Sequence, residues 1–298
     1  MNTPTFNIAA VERDTGLSKD VLRVWERRYG FPTPERDGNG ERCYPAEQVD
    51  RLRLIKRLMD QGHRPGKLIS LPPAELNQLA PRRPAARPPA PATSDLSELL
   101  TLLKQHDIAG YQQGMQQRLA RQGLQSFVQD TIAPLTQQVG AAWEEGSFEV
   151  FEEHLFTELT KRLLRQSISS LPAGAEPRLL LTSLPDEEHV LGLLMVEALF
   201  ALEGVECIPL GTQMPLLDIA RAAEAHAADI VALSFSVAFP QRQIPSLLQQ
   251  LRLALPPTIE LWAGGAGVAR LGSLDGVHLL PDFEDALNAL AAWRQRRA

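Results

Sequence analysis

The last third of the chain alternates short apolar runs with segments of helical character, and this alternation constrains the fold more than any other feature. The runs read RLLLTSL, VECIPLG, DIVALSFS, IELWAGG and VHLLP. Each has the length of a strand, and aliphatic residues on both faces are typical of strands covered by helices on either side. The pattern predicts a doubly wound α/β domain over residues 177–298, built on a five-stranded parallel sheet.

The rest of the chain divides into three further parts. Residues 72–95 are rich in Pro and Ala without an apolar period, which predicts an extended, semi-rigid linker. Residues 1–71 before it are predicted to form a compact head. Residues 96–172 carry apolar side chains at helical spacing in four stretches, which predicts a four-helix bundle. The predicted fold class is therefore multidomain, α and α/β, with a Rossmann- or flavodoxin-like last domain.

Charge is unevenly distributed between the head and the body. Residues 1–70 carry thirteen Lys and Arg against ten Asp and Glu, a net +3, so the remainder holds −9 of the total of −6. A basic head on an acidic body predicts nucleic-acid contact by the head alone. The two cysteines lack metal or disulfide spacing, no apolar run approaches ~20 residues, and no signal peptide precedes the first helix. We therefore expect a cytoplasmic protein without membrane association.

The head shows the pattern of a helix-turn-helix followed by a two-stranded wing. Gly16 permits the tight turn, Ser18 caps the second helix, and the wing PERDGNGERCY turns at residues 37–40. A recognition helix needs donors for phosphates and base edges on its solvent face, although an ordinary solvated face shows the same pattern. The candidate DNA-binding residues are Lys19, Arg23, Arg27, Arg28, Arg36, Arg42 and Tyr44.

The stretch RVWERRYGFPTPERDGNGERCY resembles the winged-helix head of MerR-type regulators. Gly40, Arg42 and Tyr44 fit the Gly-x-Arg-x-Tyr wing of that family, while Glu41 occupies a position often held by Tyr. The resemblance implies binding of double-stranded promoter DNA and transcriptional control. Many such regulators continue directly into a long dimerisation helix, but here the Pro-rich stretch follows. We therefore expect the C-terminal half to form the homo-oligomer, a dimer or a tetramer.

The first apolar run of the α/β domain ends in an acidic turn that contains a histidine. Glu187-x-His189-x-x-Gly192 resembles the Asp/Glu-x-His-x-x-Gly motif of cobalamin-binding domains. A neutral imidazole can ligate cobalt from below, while a carboxylate two residues earlier holds its other nitrogen. The resemblance implies that His189 is the metal ligand and Glu187 its partner, and Gly192 lets the helix approach the corrin closely.

Two later strand ends carry further elements of the same resemblance. The segment SFS, with Ser234 and Ser236, resembles the Ser-x-Leu/Ser element of these domains, and AGGAG, with Gly264 and Gly265, resembles their glycine-rich segment. These four residues are implied to bind the cofactor by bordering the slot for its nucleotide tail. AGGAG lacks the Lys-Ser/Thr that a triphosphate site requires.

The predicted bundle carries a Trp, nine residues, and then a Glu-His pair. Trp143, Glu153 and His154 thus resemble the cofactor-binding motif of the helical cap in light-responsive, cobalamin-dependent repressors of carotenoid synthesis genes. There the Trp lies over the upper axial group, where an aromatic wall shields the cobalt–carbon bond. In those sensors a His follows the Trp and ligates cobalt after photolysis. Glu144 occupies that position here, and a carboxylate suits Co(III) less well than an imidazole does.

The leading hypothesis is a transcriptional regulator, not an enzyme, whose oligomeric state and DNA affinity respond to adenosylcobalamin and to light. One alternative keeps the regulator but places a bilin, or no ligand, in the pocket. Another is a corrinoid carrier of a methyltransferase or mutase, against which the DNA-binding head and the lack of a substrate barrel argue. The remaining histidines, which are expected to be structural, are His63, His106, His226 and His278.

Overall fold

The computed structural model describes residues 5–15, 17–38, 40–60, 63–72, 75–76, 79 and 93–297. The chain forms two compact units, Met1–Pro88 and Pro89–Ala298, which divide within the Pro- and Ala-rich stretch. The turn glycine Gly16, Asn39 of the wing and most of the predicted linker lie outside the described residues.

The first unit is a small helical domain with a three-stranded antiparallel sheet in the order β1-β3-β2. Its elements are β1 Thr5–Asn7, α1 Ile8–Thr15, α2 Lys19–Tyr29, β2 Glu35–Arg36, β3 Arg42–Pro45, α3 Ala46–Asp60 and α4 Pro65–Ile69. Strands β2 and β3 form the predicted wing, with Arg36 opposite Arg42. Strand β1 was not predicted, because three residues are too few to show an alternating pattern.

Local sequence explains the limits of α2, the predicted recognition helix. The Ser18 side chain accepts a hydrogen bond from the Val21 N–H at its start, and Gly30, with φ +68°, ends it in the left-handed conformation. Leu22 and Trp25, three residues apart, are buried on one face. They pack into the core of the head, which leaves the opposite face of α2 to the solvent.

The second unit begins with the predicted four-helix bundle. Its helices are α5 Thr93–Lys104, α6 Ile108–Ser126, α7 Ala133–Glu144 and α8 Val150–Ser169. A π-helical segment, Phe127–Ile132, joins α6 directly to α7. The wider turn of a π-helix shifts the side chains that follow it around the helix axis. Phe127, Val128 and Ile132 are fully buried, so this segment belongs to the bundle core.

The α/β domain confirms the predicted five-stranded parallel sheet. Its strands are β4 Ala175–Thr182, β5 Val205–Gly211, β6 Ile230–Ser234, β7 Glu260–Gly264 and β8 Val277–Leu280, and the order is β5-β4-β6-β7-β8. Its helices are α9 Val190–Leu202, α10 Leu216–Ala225, α11 Ile244–Ala254 and α12 Phe283–Arg297. The strand order reverses direction between β4 and β6. Ligands of doubly wound sheets bind at this point, outside the carboxyl ends of the strands.

Helix α9 packs against both halves of the second unit. Leu191 and Leu194 belong to the core of the bundle, whereas Leu193 and Phe200 pack against the sheet. A helix that is apolar all round must be buried on all sides, and the sequence VLGLLMVEALFAL fits this position. Among the described residues, no helix combines the length and the apolar character needed to cross a membrane.

We expect Leu194→Ala to destabilise the second unit. Leu194 is fully buried in the core that α9 shares with the bundle, and removal of such a side chain costs about 2–5 kcal/mol in free energy of unfolding. Leu253→Ala is the matched control, because Leu253 is 88% exposed and should change that free energy by less than about 0.5 kcal/mol. Urea unfolding of the full chain measures both. Equal effects of the two substitutions would contradict the packing described for α9.

Candidate functional site

The centre of the candidate site is a carboxylate–imidazole pair at the carboxyl end of β4. His189 caps the N-terminus of α9, and its Nδ1 lies 2.7 Å from Oε1 of Glu187. The His189 backbone N–H donates to the same oxygen over 3.1 Å. The Glu187 side chain is 1% exposed, whereas that of His189 is 61% exposed. Because a carboxylate accepts hydrogen bonds, Nδ1 carries the proton and donates to Glu187. The lone pair of the neutral ring therefore lies on Nε2.

The second oxygen of Glu187 connects this loop to the end of β6. The Ser236 backbone N–H donates to Oε2 over 2.7 Å. Burial by itself raises the pKa of Glu187, but the hydrogen bonds from His189 and Ser236 hold that pKa below its ordinary value. The hydrogen bond to Glu187 raises the pKa of His189 in turn. A carboxylate in this position fixes the ring and makes it a more basic ligand for a metal ion.

Serine hydroxyls and a glycine border this pair. A Cβ atom added to Gly192 would lie 2.8 Å from Ser234 Oγ, so a larger residue would displace that hydroxyl from its position beside α9. The Oγ of Ser236 is buried and has no hydrogen-bond partner in the described part of the chain. A buried hydroxyl without a partner is costly, and a polar ligand group can satisfy it.

The glycine-rich segment lies at the carboxyl end of β7, next to the β6 loop. A Cβ atom on Gly265, whose φ is +94°, would approach the Phe235 carbonyl oxygen to 2.5 Å. On Gly264 it would lie 3.2 Å from the Leu280 carbonyl oxygen. The glycines therefore allow the backbones of neighbouring loops to approach closely at this edge of the sheet. The structure thus places the motif residues on three adjacent strand ends.

The bundle motif lies at the junction of α7 and α8. Trp143 is in the last turn of α7 and packs partly buried against the bundle core. In the first turn of α8, Glu153 Oε2 lies 2.8 Å from Nδ1 of His154, and the Thr157 hydroxyl donates to its Oε1 over 2.8 Å. The negative charge of Glu153 also contributes to the raised pKa of His189. Glu153 of the bundle therefore lies within electrostatic range of the imidazole.

Sequence reasoning missed the ion pair that fastens the bundle to α9. Arg165 of α8 donates from Nη1 to both carboxylate oxygens of Glu197, over 2.9 and 2.8 Å. Burial raises the pKa of Glu197, and Arg165 opposes that shift. The sequence signal for this pair was Glu197 itself, a single acidic residue in the apolar sequence of α9.

Two histidines outside the motifs lie near carboxylates. His106 and His278 each lie 3.4 Å from a carboxylate oxygen, and no group of three potential metal ligands occurs in the described ranges.

The predicted DNA-binding residues of the head fall into two groups. Arg23, Arg27 and Arg28 are exposed on α2, and Lys19 at its start lies 3.4 Å from Glu12. In the wing, the exposed guanidinium of Arg36 donates to the Gly40 carbonyl over 2.6 Å. These five basic side chains lie where a recognition helix and wing present donors to a duplex.

Arg42 and Tyr44 occupy different surroundings. The Nε of Arg42 donates to Glu26 Oε2 over 2.8 Å, which raises the pKa of Arg42 and ties the wing to α2. Tyr44 is fully buried in the core of the head. The prediction that the Tyr44 side chain contacts DNA directly does not agree with this position and is corrected, because a fully buried ring cannot reach a duplex.

Comparison with protein families assigns both units. The model of MerR helix-turn-helix regulatory proteins matches residues 6–69. Models of B12-binding domains match residues 96–166 and 177–291, the bundle and the α/β domain. The head is therefore of the MerR helix-turn-helix kind, and the second unit is of the kind that binds a corrinoid.

Two curated relatives match most of the chain. The HTH-type transcriptional repressor CarH of Myxococcus xanthus is 30% identical over 266 residues, which cover 88% of this chain and 89% of the relative. The HTH-type transcriptional repressor CarA of the same organism is 29% identical over 269 residues, 88% of this chain and 87% of the relative. Among solved structures, the monomethylamine corrinoid protein of Methanosarcina barkeri matches with a TM-score of 0.50 at 17% identity. The match covers 67% of this chain and 98% of that one and supports the fold alone.

We expect Arg27→Ala to weaken DNA binding with little dependence on sequence. Arg27 is exposed on α2, and losing one phosphate contact reduces the slope of log affinity against log salt by about one. Gel-shift titration against duplex from the protein's own promoter, at several salt concentrations, measures this. Arg121→Ala, an exposed arginine of the second unit, is the control. If Arg27→Ala bound DNA with the affinity and the salt dependence of wild type, Arg27 would not contact DNA.

Proposed function

We propose a function from the premise that the chain belongs to the family of MerR-type transcriptional repressors with B12-binding domains. As a member it is a transcriptional regulator with a corrinoid-binding unit, and not an enzyme. We propose that its ligand is adenosylcobalamin, that it is a homo-oligomer, and that light changes both its oligomeric state and its affinity for DNA.

The observation that carries the proposal is the Glu187–His189 pair at the point where the strand order reverses. The 2.7 Å hydrogen bond leaves Nε2 as the open nitrogen of an exposed ring, at the edge of the sheet where ligands of this fold bind. A carboxylate behind a metal-binding imidazole fixes the ring and increases its basicity. No comparable observation favours a bilin.

The residues around the pair fit cobalamin. Nε2 of His189 would hold the cobalt, and the unpartnered Ser236 hydroxyl, with Ser234, would offer hydrogen bonds to polar groups of the cofactor. Trp143 and the Glu153–His154 pair would contact the cofactor from the bundle. Bound adenosylcobalamin would supply a cobalt–carbon bond that light cleaves. The role of the chain is then to hold the imidazole in one orientation and to exclude water from the bound group with an aromatic side chain.

Contacts within the second unit connect the cofactor pocket to the surface of the bundle, where a change in the pocket could alter subunit pairing. Trp143 and Glu153 lie on α7 and α8, and α8 is fastened to α9 by the Arg165–Glu197 pair. A change in the group that contacts Trp143 would therefore act on the bundle. The bundle packs against α9, the helix that directly follows His189. In this proposal the bundle surface pairs subunits, and closed dimers or tetramers place two heads on a palindromic site.

We expect His189→Ala to abolish or strongly weaken binding of adenosylcobalamin in the dark, and Glu187→Gln to weaken it by roughly 10–100-fold, the range for residues that orient a metal ligand. The measurement is a titration followed by visible absorption. Glu188→Gln is the matched control, because Glu188 is exposed and has no hydrogen bond to the ring among the described residues. An unchanged spectrum and affinity for His189→Ala would refute its role as the cobalt ligand.

We expect illumination of the cobalamin-loaded full chain to change its elution volume in size-exclusion chromatography and to lower its affinity for promoter DNA. Glu144→His should change the absorption spectrum after illumination, because an imidazole is a better ligand of Co(III) than a carboxylate. Identical spectra for wild type and Glu144→His after illumination would show that position 144 does not limit the photoproduct. Loaded protein that elutes identically in the dark and after light would be a cobalamin sensor without a light response.

A further inference from the structure

We propose that Ser183 is a positioning residue for the cobalt ligand His189 and acts on it through Glu187. The inference rests on the proposed function, since it concerns how the ligand is held. Ser183 directly follows β4, is fully buried, and belongs to none of the motifs found in the sequence.

The hydroxyl of Ser183 joins the loops that follow β4 and β5. It donates to the Glu187 carbonyl oxygen over 2.6 Å and accepts from the Gln213 backbone N–H over 3.0 Å. The carbonyl oxygen of Ser183 accepts a third hydrogen bond, from the Met214 N–H, over 2.9 Å. One buried residue therefore holds the backbone of the loop that carries the ligand against the backbone of its neighbour.

Both loops contain a residue whose backbone needs such support. Asp186, with φ +69°, and Gln213, with φ +61°, adopt the left-handed conformation without being glycine. Residues in this conformation persist where the surrounding structure holds them. Asp186 immediately precedes Glu187, and Gln213 donates directly to Ser183, so both strained positions lie beside hydrogen bonds of this one hydroxyl.

The Ser183 bond completes the fixation of Glu187. The Ser183 hydroxyl donates to the Glu187 carbonyl, and the Ser236 N–H donates to Oε2 of the carboxylate. With the backbone and Oε2 both fixed, Oε1 lies in position to accept from Nδ1 of His189. Without the serine hydroxyl, the Glu187 carbonyl loses this partner, and the backbone of Glu187 is then held through its N–H, which donates to the Leu184 carbonyl over 3.1 Å. The imidazole then samples more orientations, and a metal ligand that must be ordered on binding gives a lower affinity.

The test compares Ser183→Ala with Thr182→Val in the full chain. Thr182 is the matched control, because it is also fully buried and its hydroxyl donates to the Gly211 carbonyl over 2.9 Å and, more weakly, to the Ser183 carbonyl over 3.4 Å, but not to Glu187. Both variants lose a buried hydrogen bond, so both should lower the thermal midpoint. For adenosylcobalamin in the dark, Ser183→Ala should raise the dissociation constant roughly tenfold. Thr182→Val should stay within about twofold of wild type. Equal dissociation constants for the two variants, or wild-type affinity for Ser183→Ala, would overturn the proposal.

A double-mutant cycle separates positioning from general destabilisation. If Ser183 acts through Glu187, then Ser183→Ala should weaken binding less in a Glu187→Gln background than in wild type. Additive losses would overturn the proposal. Should Ser183→Ala fail to fold, Ser183→Cys takes its place, because the thiol is only a weak donor and acceptor. It should bind adenosylcobalamin more weakly than wild type, and wild-type affinity would again overturn the proposal. Failure of wild type to bind adenosylcobalamin would instead refute the proposed function.

Discussion

The site depends on the two-sided hydrogen bonding of one buried carboxylate. A carboxylate removed from water is strongly destabilising unless its charge and its lone pairs are satisfied. Glu187 meets this requirement through the imidazole of His189 on one oxygen and the Ser236 N–H on the other. These partners belong to different crossover loops, so the carboxylate can be buried only when both loops are in place. The same arrangement leaves the far side of the imidazole open.

Much of the fold of the second unit could be predicted from the sequence, because sheet and bundle both have periodic apolar patterns. The aliphatic runs gave the five strands, and the helical spacing gave the four helices. The π-helical segment Phe127–Ile132 could not be predicted, since its side chains are as apolar as those of an ordinary buried turn. Strand β1 was missed for a different reason. Its pairing with β3 joins residues nearly forty positions apart, and three residues carry no pattern of their own.

The candidate site was predictable to the extent that it consists of strand ends. Carboxyl ends of parallel strands meet at one edge, so motifs that each follow a strand converge.

In the wing, the sequence motif did not predict which way the side chains point. Arg42 and Tyr44 are two positions apart in β3 and therefore share a face, which the structure turns toward α2 and the core. The motif identified the residues but not the direction in which they point, because an ion pair between positions 26 and 42 leaves no local trace in the sequence.

Helix α9 has a consequence for how this protein could be divided or recombined. Its bundle-facing leucines and its buried Glu197 are completed by side chains of α8, although the helix belongs topologically to the α/β domain. An α/β fragment starting near residue 172 would present a continuous aliphatic surface with an unneutralised acid at its centre. Such a surface favours aggregation over folding. The smallest transplantable module is therefore the bundle and the sheet together, and chimaeras between relatives should exchange α5 to α12 as one piece.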